Sequence, residues 1–221
     1  MSATTESGSS GRRSYTSTRR AEQARGTRRA ILDAARELFA TRGYAATSRE
    51  EIARAARVAV QTVAAVGGTK RALLEAVLDD AVRNQGSPLP VALRSWLQDL
   101  REHGDAALLL RTHAASSASV SARTAGVTEA LRRAAAADAA LAELWDDLQR
   151  QRRRGASTVV ELLAQRTPGL RTDLSAAEAA DVLWLLSDDS LHRALVSERG
   201  WSEERFAAWL GDAMCSLLLG G

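Results

Sequence analysis

The chain has 221 residues, 30 basic against 27 acidic side chains, and 45% hydrophobic residues, enough for one large core or two smaller ones. A single cysteine, Cys215, excludes an internal disulfide framework. No apolar run approaches the ~18 residues of a membrane span, and the first residues lack the apolar segment of a signal peptide. Few aromatics, abundant Ala, Leu and Arg, and no β-branched runs predict an all-α protein that is soluble and cytoplasmic.

The net charge of +3 is uneven: residues 1–85 carry 15 basic against 9 acidic side chains, and the rest is net negative. A polyanion is therefore the natural partner of the N-terminal part. Residues 1–24 are rich in Ser, Thr, Gly and Arg, have no apolar period, and read as a disordered basic tail. Arg12-Arg13 and Arg19-Arg20 would suit a DNA backbone or minor groove, or simply a solvated tail.

The first helix is expected from about Thr27. Ile31, Ala34, Ala35, Leu38 and Phe39 form one apolar stripe, and Gly43 ends it. The second opens with the capping box Ser48-x-x-Glu51 and buries Ile52 and Ala56. A short turn at Arg57-Val58 leads to a third helix over 60–66. A fourth starts at Thr69 and turns Leu73, Leu74, Val77 and Leu78 inward. Three short helices with tight turns and dense basic residues form a unit, 25–85, that can place one helix in the major groove.

Gly86-Ser87-Pro88-Leu89-Pro90 is a break, and a second helical domain, 86–221, follows it. Its helices are expected near 91–102, 105–122, 125–135, 138–166, 175–196 and 202–219. Asp105, Asp138, Ser175 and Ser202 are the N-caps, with a second capping box at Ser175-x-x-Glu178. His103, His113 and His192 form no metal-ligand spacing with Cys215. No nucleophile with a partner pattern or phosphate loop appears, so neither enzyme activity nor a cofactor is expected. His113, Trp145 and Trp184 are candidates to line a pocket, against the plainer reading of core residues. Asp146-Asp147 and Asp188-Asp189 read as solvated or capping groups.

Leu38-Phe39, Gly43-Tyr44, Thr47-Ser48, Ile52-Ala53, Ala56, Val58, Thr62-Val63, Thr69-Lys70 and Leu73-Leu74 keep their spacing without gaps. In this pattern the chain resembles TetR-type transcriptional regulators. The resemblance implies an N-terminal helix-turn-helix DNA-binding domain and a C-terminal helical domain for effector binding and dimerisation. It implies phosphate contacts at Thr47, Thr62 and Lys70, with Arg28, Ser48 and Arg57 as further DNA-binding candidates. Gln61 would read an adenine through two hydrogen bonds, and Val60 a thymine methyl.

The chain departs from the family pattern at Arg57 (usually Gly), Ala59 (Ser), Ala64 (Tyr) and Gly67 (Phe). Arg57 would strain the turn if φ is positive. Ala59 cannot cap the third helix, Ala64 lacks a hydroxyl that touches phosphate in the family, and Gly67 would leave a core gap. The expected function is a ligand-responsive repressor that binds a palindromic double-stranded operator as a homodimer, with a small apolar or amphipathic effector. The alternative is a helical ligand- or protein-binding dimer that has lost operator binding.

Overall fold

Side-chain caps at Ser48, Asp105, Asp138, Ser175 and Ser202 start five helices where the sequence places them. The computed structural model describes residues 10–83, 105–166 and 169–220. The expected helix at 91–102, the break at 86–90 and His103 lie outside them. In chain order the helices are α1 (Ser10–Arg42), α2 (Arg49–Ala56), α3 (Val60–Gly67), α4 (Lys70–Arg83), α5 (Ala106–Ala135), α6 (Ala139–Ala164), α7 (Ala176–Leu186), α8 (Asp189–His192) and α9 (Glu203–Leu218). A π-helical turn, Arg193–Glu198, follows α8. The described residues are all-α, as composition predicts.

Ser48 and Ser175 each close both halves of a capping box. Asp105, Asp138 and Ser202 accept backbone N–H groups at their helix starts. Thr69 Oγ1 accepts from Ala72 N at 3.0 Å. These bonds satisfy donors that the first helical turn leaves without partners.

Three expected boundaries are corrected. α1 begins at Ser10 rather than near Thr27, so residues 10–24 are helical. From Arg19 on, Arg, Ala, Glu and Gln are good helix formers, and a helix nucleated on the core extends through them; the propensities of the Ser, Gly and Thr residues before Arg19 do not explain the helix there. The expected helices 105–122 and 125–135 are one 30-residue helix, α5, about 45 Å long. Gly126 does not break it. An added Cβ there would stand 2.6 Å from the Ala40 Cβ, so the glycine lets α1 and α5 approach closely. The stretch 175–196 instead stops at Leu186, and Asp188 caps a new start at α8.

Two apolar cores result. One joins Ile31, Ala35 and Phe39 of α1, Ile52 of α2, Val63 of α3, and Leu73, Leu74 and Val77 of α4 with Val127 and Leu131 of α5. The other joins Leu110 and Ala114 of α5, Val160 and Leu163 of α6, Leu183 of α7, and Phe206, Leu210 and Met214 of α9. Thus α5 contributes one end to each core. It is tied to the end of α4 by Arg123, whose Nε and Nη2 donate to Ala81 O at 3.1 and 3.0 Å. Arg36 of α1 pairs with Asp80 of α4 at 3.0 Å.

Candidate functional site

The turn between α2 and α3 is set by Arg57, at φ 57° and ψ 42°. This is the left-handed conformation that glycine adopts without steric cost. It lets Arg57 N donate to Arg54 O (3.2 Å) and Val58 N to Ala53 O (3.0 Å), closing the end of α2. Ala59 has the extended backbone of an N-cap and no side-chain bond to offer. α3 therefore starts with its N–H groups uncapped by a side chain.

On α3, Val63 is fully buried, and Val60 and Val66 are half-buried against the first core. That leaves Gln61, Ala64 and Ala65 exposed. The Gln61 side chain makes no hydrogen bond to another described residue, so its amide is free to pair outward. The two alanines allow close approach, and their methyls suit a thymine methyl. Val60, expected to touch a base, packs part of its side chain on the first core and leaves the rest exposed. Thr62 is half-buried beside Gln61.

Exposed guanidinium groups lie at the C-terminal end of α3 and at the end of α2. Arg28 Nη1 donates to Val66 O at 3.3 Å, and Arg49 Nη1 to Gly68 O at 3.4 Å. Both thus lie at the C-terminal end of α3, where cations complement the helix dipole. Arg54 and Arg57 are exposed and form no ion pair with a described residue. Ser48 is the N-cap of α2, its Oγ accepting from Glu51 N at 3.2 Å.

Thr47 and Lys70, the expected phosphate contacts, are both held by bonds within the domain. Thr47 is 1% exposed. Its hydroxyl lies 2.8 Å from Gly43 O and 3.2 Å from Leu38 O, bonding the carbonyl end of α1 rather than facing solvent. Lys70 Nζ donates to Tyr44 O (2.8 Å), Thr47 O (3.0 Å) and Ala45 O (3.4 Å), which uses its three protons inside the domain. Burial lowers its pKa below the ordinary 10.5. The side chain staples the start of α4 to the α1–α2 loop.

Gly67 does not leave a gap. An added Cβ would stand 2.7 Å from Leu73 Cδ1 and 3.3 Å from Leu73 Cβ, so Leu73 fills the space expected for an aromatic ring.

A second site lies among α4, α5, α6, α7 and the start of α8, as a cavity of 450 Å³. Leu78, Val120, Leu148 and Ala156 give it apolar wall, and His113 and Trp184 also line it. Trp145 does not line it; it borders a separate surface depression with Arg150 and Arg153. His113 Nε2 lies 3.4 Å from both Ser117 Oγ and Ser187 Oγ, and burial holds its pKa below 6.5.

Sequence reasoning missed the other polar wall. Ser121 Oγ donates to Asp189 Oδ1 at 2.7 Å, and Thr124 Oγ1 lies 3.0 Å from Asp189 Oδ2. Asp189 is half-buried, not a solvated surface group. Arg152 Nη1 donates to Asp188 Oδ2 at 2.8 Å, and its Nη2 to Ser187 O at 2.7 Å. The available signal was the spacing of His113, Ser117, Ser121, Thr124 and Thr128, steps of four and three that put a polar stripe on one face of α5.

An exposed, basic-flanked helix-turn-helix, joined through one long helix to a cavity-bearing helical body, defines a helix-turn-helix protein with a second helical core. Residues 31–77 match the family described as "Bacterial regulatory proteins, tetR family", so the N-terminal unit is a tetR-family helix-turn-helix domain. No curated protein matches the chain.

Solved structures share the fold. A candidate transcriptional regulator from Saccharomonospora viridis, in complex with choline, is 20% identical with a TM-score of 0.61, covering 88% of this chain and 98% of its own. A candidate TetR-family regulator from Rhodococcus sp. is 20% identical with a TM-score of 0.63, covering 86% and 98%. NalD, the secondary repressor of the MexAB-OprM multidrug efflux pump in Pseudomonas aeruginosa, is 22% identical with a TM-score of 0.57, covering 89% and 98%. No helix among the described residues is long and apolar enough to cross a membrane.

Proposed function

We propose that the protein is a ligand-responsive transcriptional repressor that binds a palindromic operator as a homodimer. The observation that carries this reading is the outer face of α3, where the unbonded side-chain amide of Gln61 stands beside exposed Ala64 and Ala65, with Arg28 and Arg49 at the C-terminal end of the helix and Arg54 and Arg57 exposed at the end of α2. Gln61 would read a base. Arg57, with Arg54 and the backbone around α3, would hold phosphates. Arg28, Arg49 and Ser48 act mainly by fixing α2 and α3, and Thr62 is a phosphate candidate at the edge.

The homodimer reading is supported by Leu185 on α7 and Leu217 on α9, which are 60% and 45% exposed. Apolar side chains beyond those the core needs suit a two-fold helix-pair interface. Two subunits would then present two α3 helices to successive major grooves, about 34–36 Å apart.

The cavity is the proposed effector site. Its wall joins apolar side chains to a polar stripe, in keeping with an amphipathic effector. Leu78 of α4 lines it, and Arg123, on the same helix as Val120 and Thr124, binds the end of α4. A ligand that moves α4 would change the spacing of the two α3 helices. In solved relatives of the fold, one holds choline and one is a repressor.

Footprinting of the purified protein on the intergenic DNA beside its own gene tests the proposal. The expected result is a protected palindrome with half-sites one helical turn apart. The uncapped start of α3 at Ala59 favours the second reading, a helical dimer without operator binding. Absence of any protected site or gel shift would establish that second reading instead.

A further inference from the structure

The cavity wall has an uneven charge balance. Two ionic side chains, Arg152 and Asp189, line it. Arg152 is neutralised by Asp188 and further held by Gln149 Oε1 (3.0 Å) and Ser187 O. Asp189 has no cation within ion-pair distance among the described residues.

What Asp189 has is hydroxyls. Ser121, 4% exposed, donates its proton to Asp189, and Thr124, also 4% exposed, has both Asp189 Oδ2 and Val120 O at 3.0 Å as acceptors for its one proton. A hydroxyl has one proton. With that proton engaged, the two oxygens offer the cavity only lone pairs, as do the remaining sites on the Asp189 carboxylate. Among the described residues this part of the wall is therefore all acceptor, and its one negative charge has no paired cation there, in a cavity that Val120 and Leu78 also line. A half-buried carboxylate of this kind is costly unless a cation or further donors complete it.

We propose that the cavity binds a small protonated organic amine, with Asp189 as its counter-charge and Ser121 and Thr124 as flanking acceptors. The inference rests on the reading of the cavity as an effector site. It adds that the ligand is a cation with N–H donors and an apolar body, rather than a neutral lipid-like molecule or a carboxylate. The hydroxyls position Asp189, and the amine supplies both the charge and the donors that the wall lacks.

Isothermal titration calorimetry at fixed ionic strength tests this on the full-length protein. The probes are benzylammonium, benzyl alcohol and benzoate, close in shape and different in charge. Wild type should bind benzylammonium about tenfold or more tighter than either other probe. Asp189→Asn, which keeps a carbonyl acceptor for one hydroxyl, should shrink that preference to within about threefold. Val120→Trp, which fills the cavity, should abolish binding of all three.

Equal binding of the ammonium and the alcohol overturns the assignment, as does tighter binding of benzoate or a preference that survives Asp189→Asn. If the alcohol binds and Val120→Trp blocks it while no charge preference appears, the cavity remains a ligand site and only the cation assignment fails. If no probe binds, or if Val120→Trp changes nothing, both readings fail. The wild-type series decides the charge question even if Asp189→Asn does not fold.

Discussion

The ammonium of Lys70 lies 2.8 Å from the carbonyl oxygen of Tyr44 and 4.2 Å from the centroid of that residue's ring. One side chain thereby fixes the α1–α2 loop from the first turn of α4, and the Tyr44 ring stacks in turn on Phe39. Lys70→Met keeps much of the stem and removes the donors. It should destabilise the domain by about 1.5–3 kcal/mol, the range for a charged hydrogen bond. Urea unfolding checks the loss. The salt dependence of DNA binding should stay close to wild type, because the ammonium faces inward.

Arg57→Gly separates strain from contact. Relief of the left-handed backbone is worth about 1–2 kcal/mol, partly offset by the greater freedom of glycine when unfolded, for a net gain of about 0.5–1 kcal/mol. Thermal melting should show it. If Arg57 binds a phosphate, the same variant should also flatten the log–log salt slope of operator binding by about 0.9.

Restoring the family residues on either side of α3 should have opposite effects. Ala59 already has N-cap geometry, so Ala59→Ser should stabilise by about 1 kcal/mol. Gly67→Phe should destabilise by about 1–3 kcal/mol, because Leu73 occupies the space and must move. Melting curves of the two single variants test both signs.

Gln61→Ala should relax preference at one base position by about 1–3 kcal/mol and leave non-specific affinity nearly unchanged. Binding measured across a set of single-base operator variants reads this directly. Unchanged preference would remove Gln61 from the base-reading face.

His113 gives a pH dependence. Burial holds its folded pKa below the ordinary 6.5, so the folded state keeps it neutral. Below 6.5 the unfolded chain binds more protons than the folded one, and stability falls with pH. The contribution is fully present above 6.5 and is lost as pH drops from there toward the folded value. His113→Gln should lessen the fall in urea-unfolding stability between pH 7 and pH 5. An equal fall in both proteins would mean that His113 is not the group responsible.

The sequence by itself determined the helix starts at Ser48, Asp105, Asp138, Ser175 and Ser202, and the strained turn at Arg57. It also determined the apolar stripe from Ile31 to Phe39. These are local features: a cap bonds a residue two or three positions on, and a stripe needs only helical period. The tertiary structure decided where Thr47 and Lys70 point, because the groups that receive them lie on other elements. It decided that Leu73 fills the space beside Gly67, that α1 presses against Gly126, and that α5 runs unbroken between two cores. It alone brought Asp189 to Ser121 and Thr124, more than sixty positions earlier. Spacing put the hydroxyls on one face of α5, but the charge opposite them came from the packing of α8 against that face.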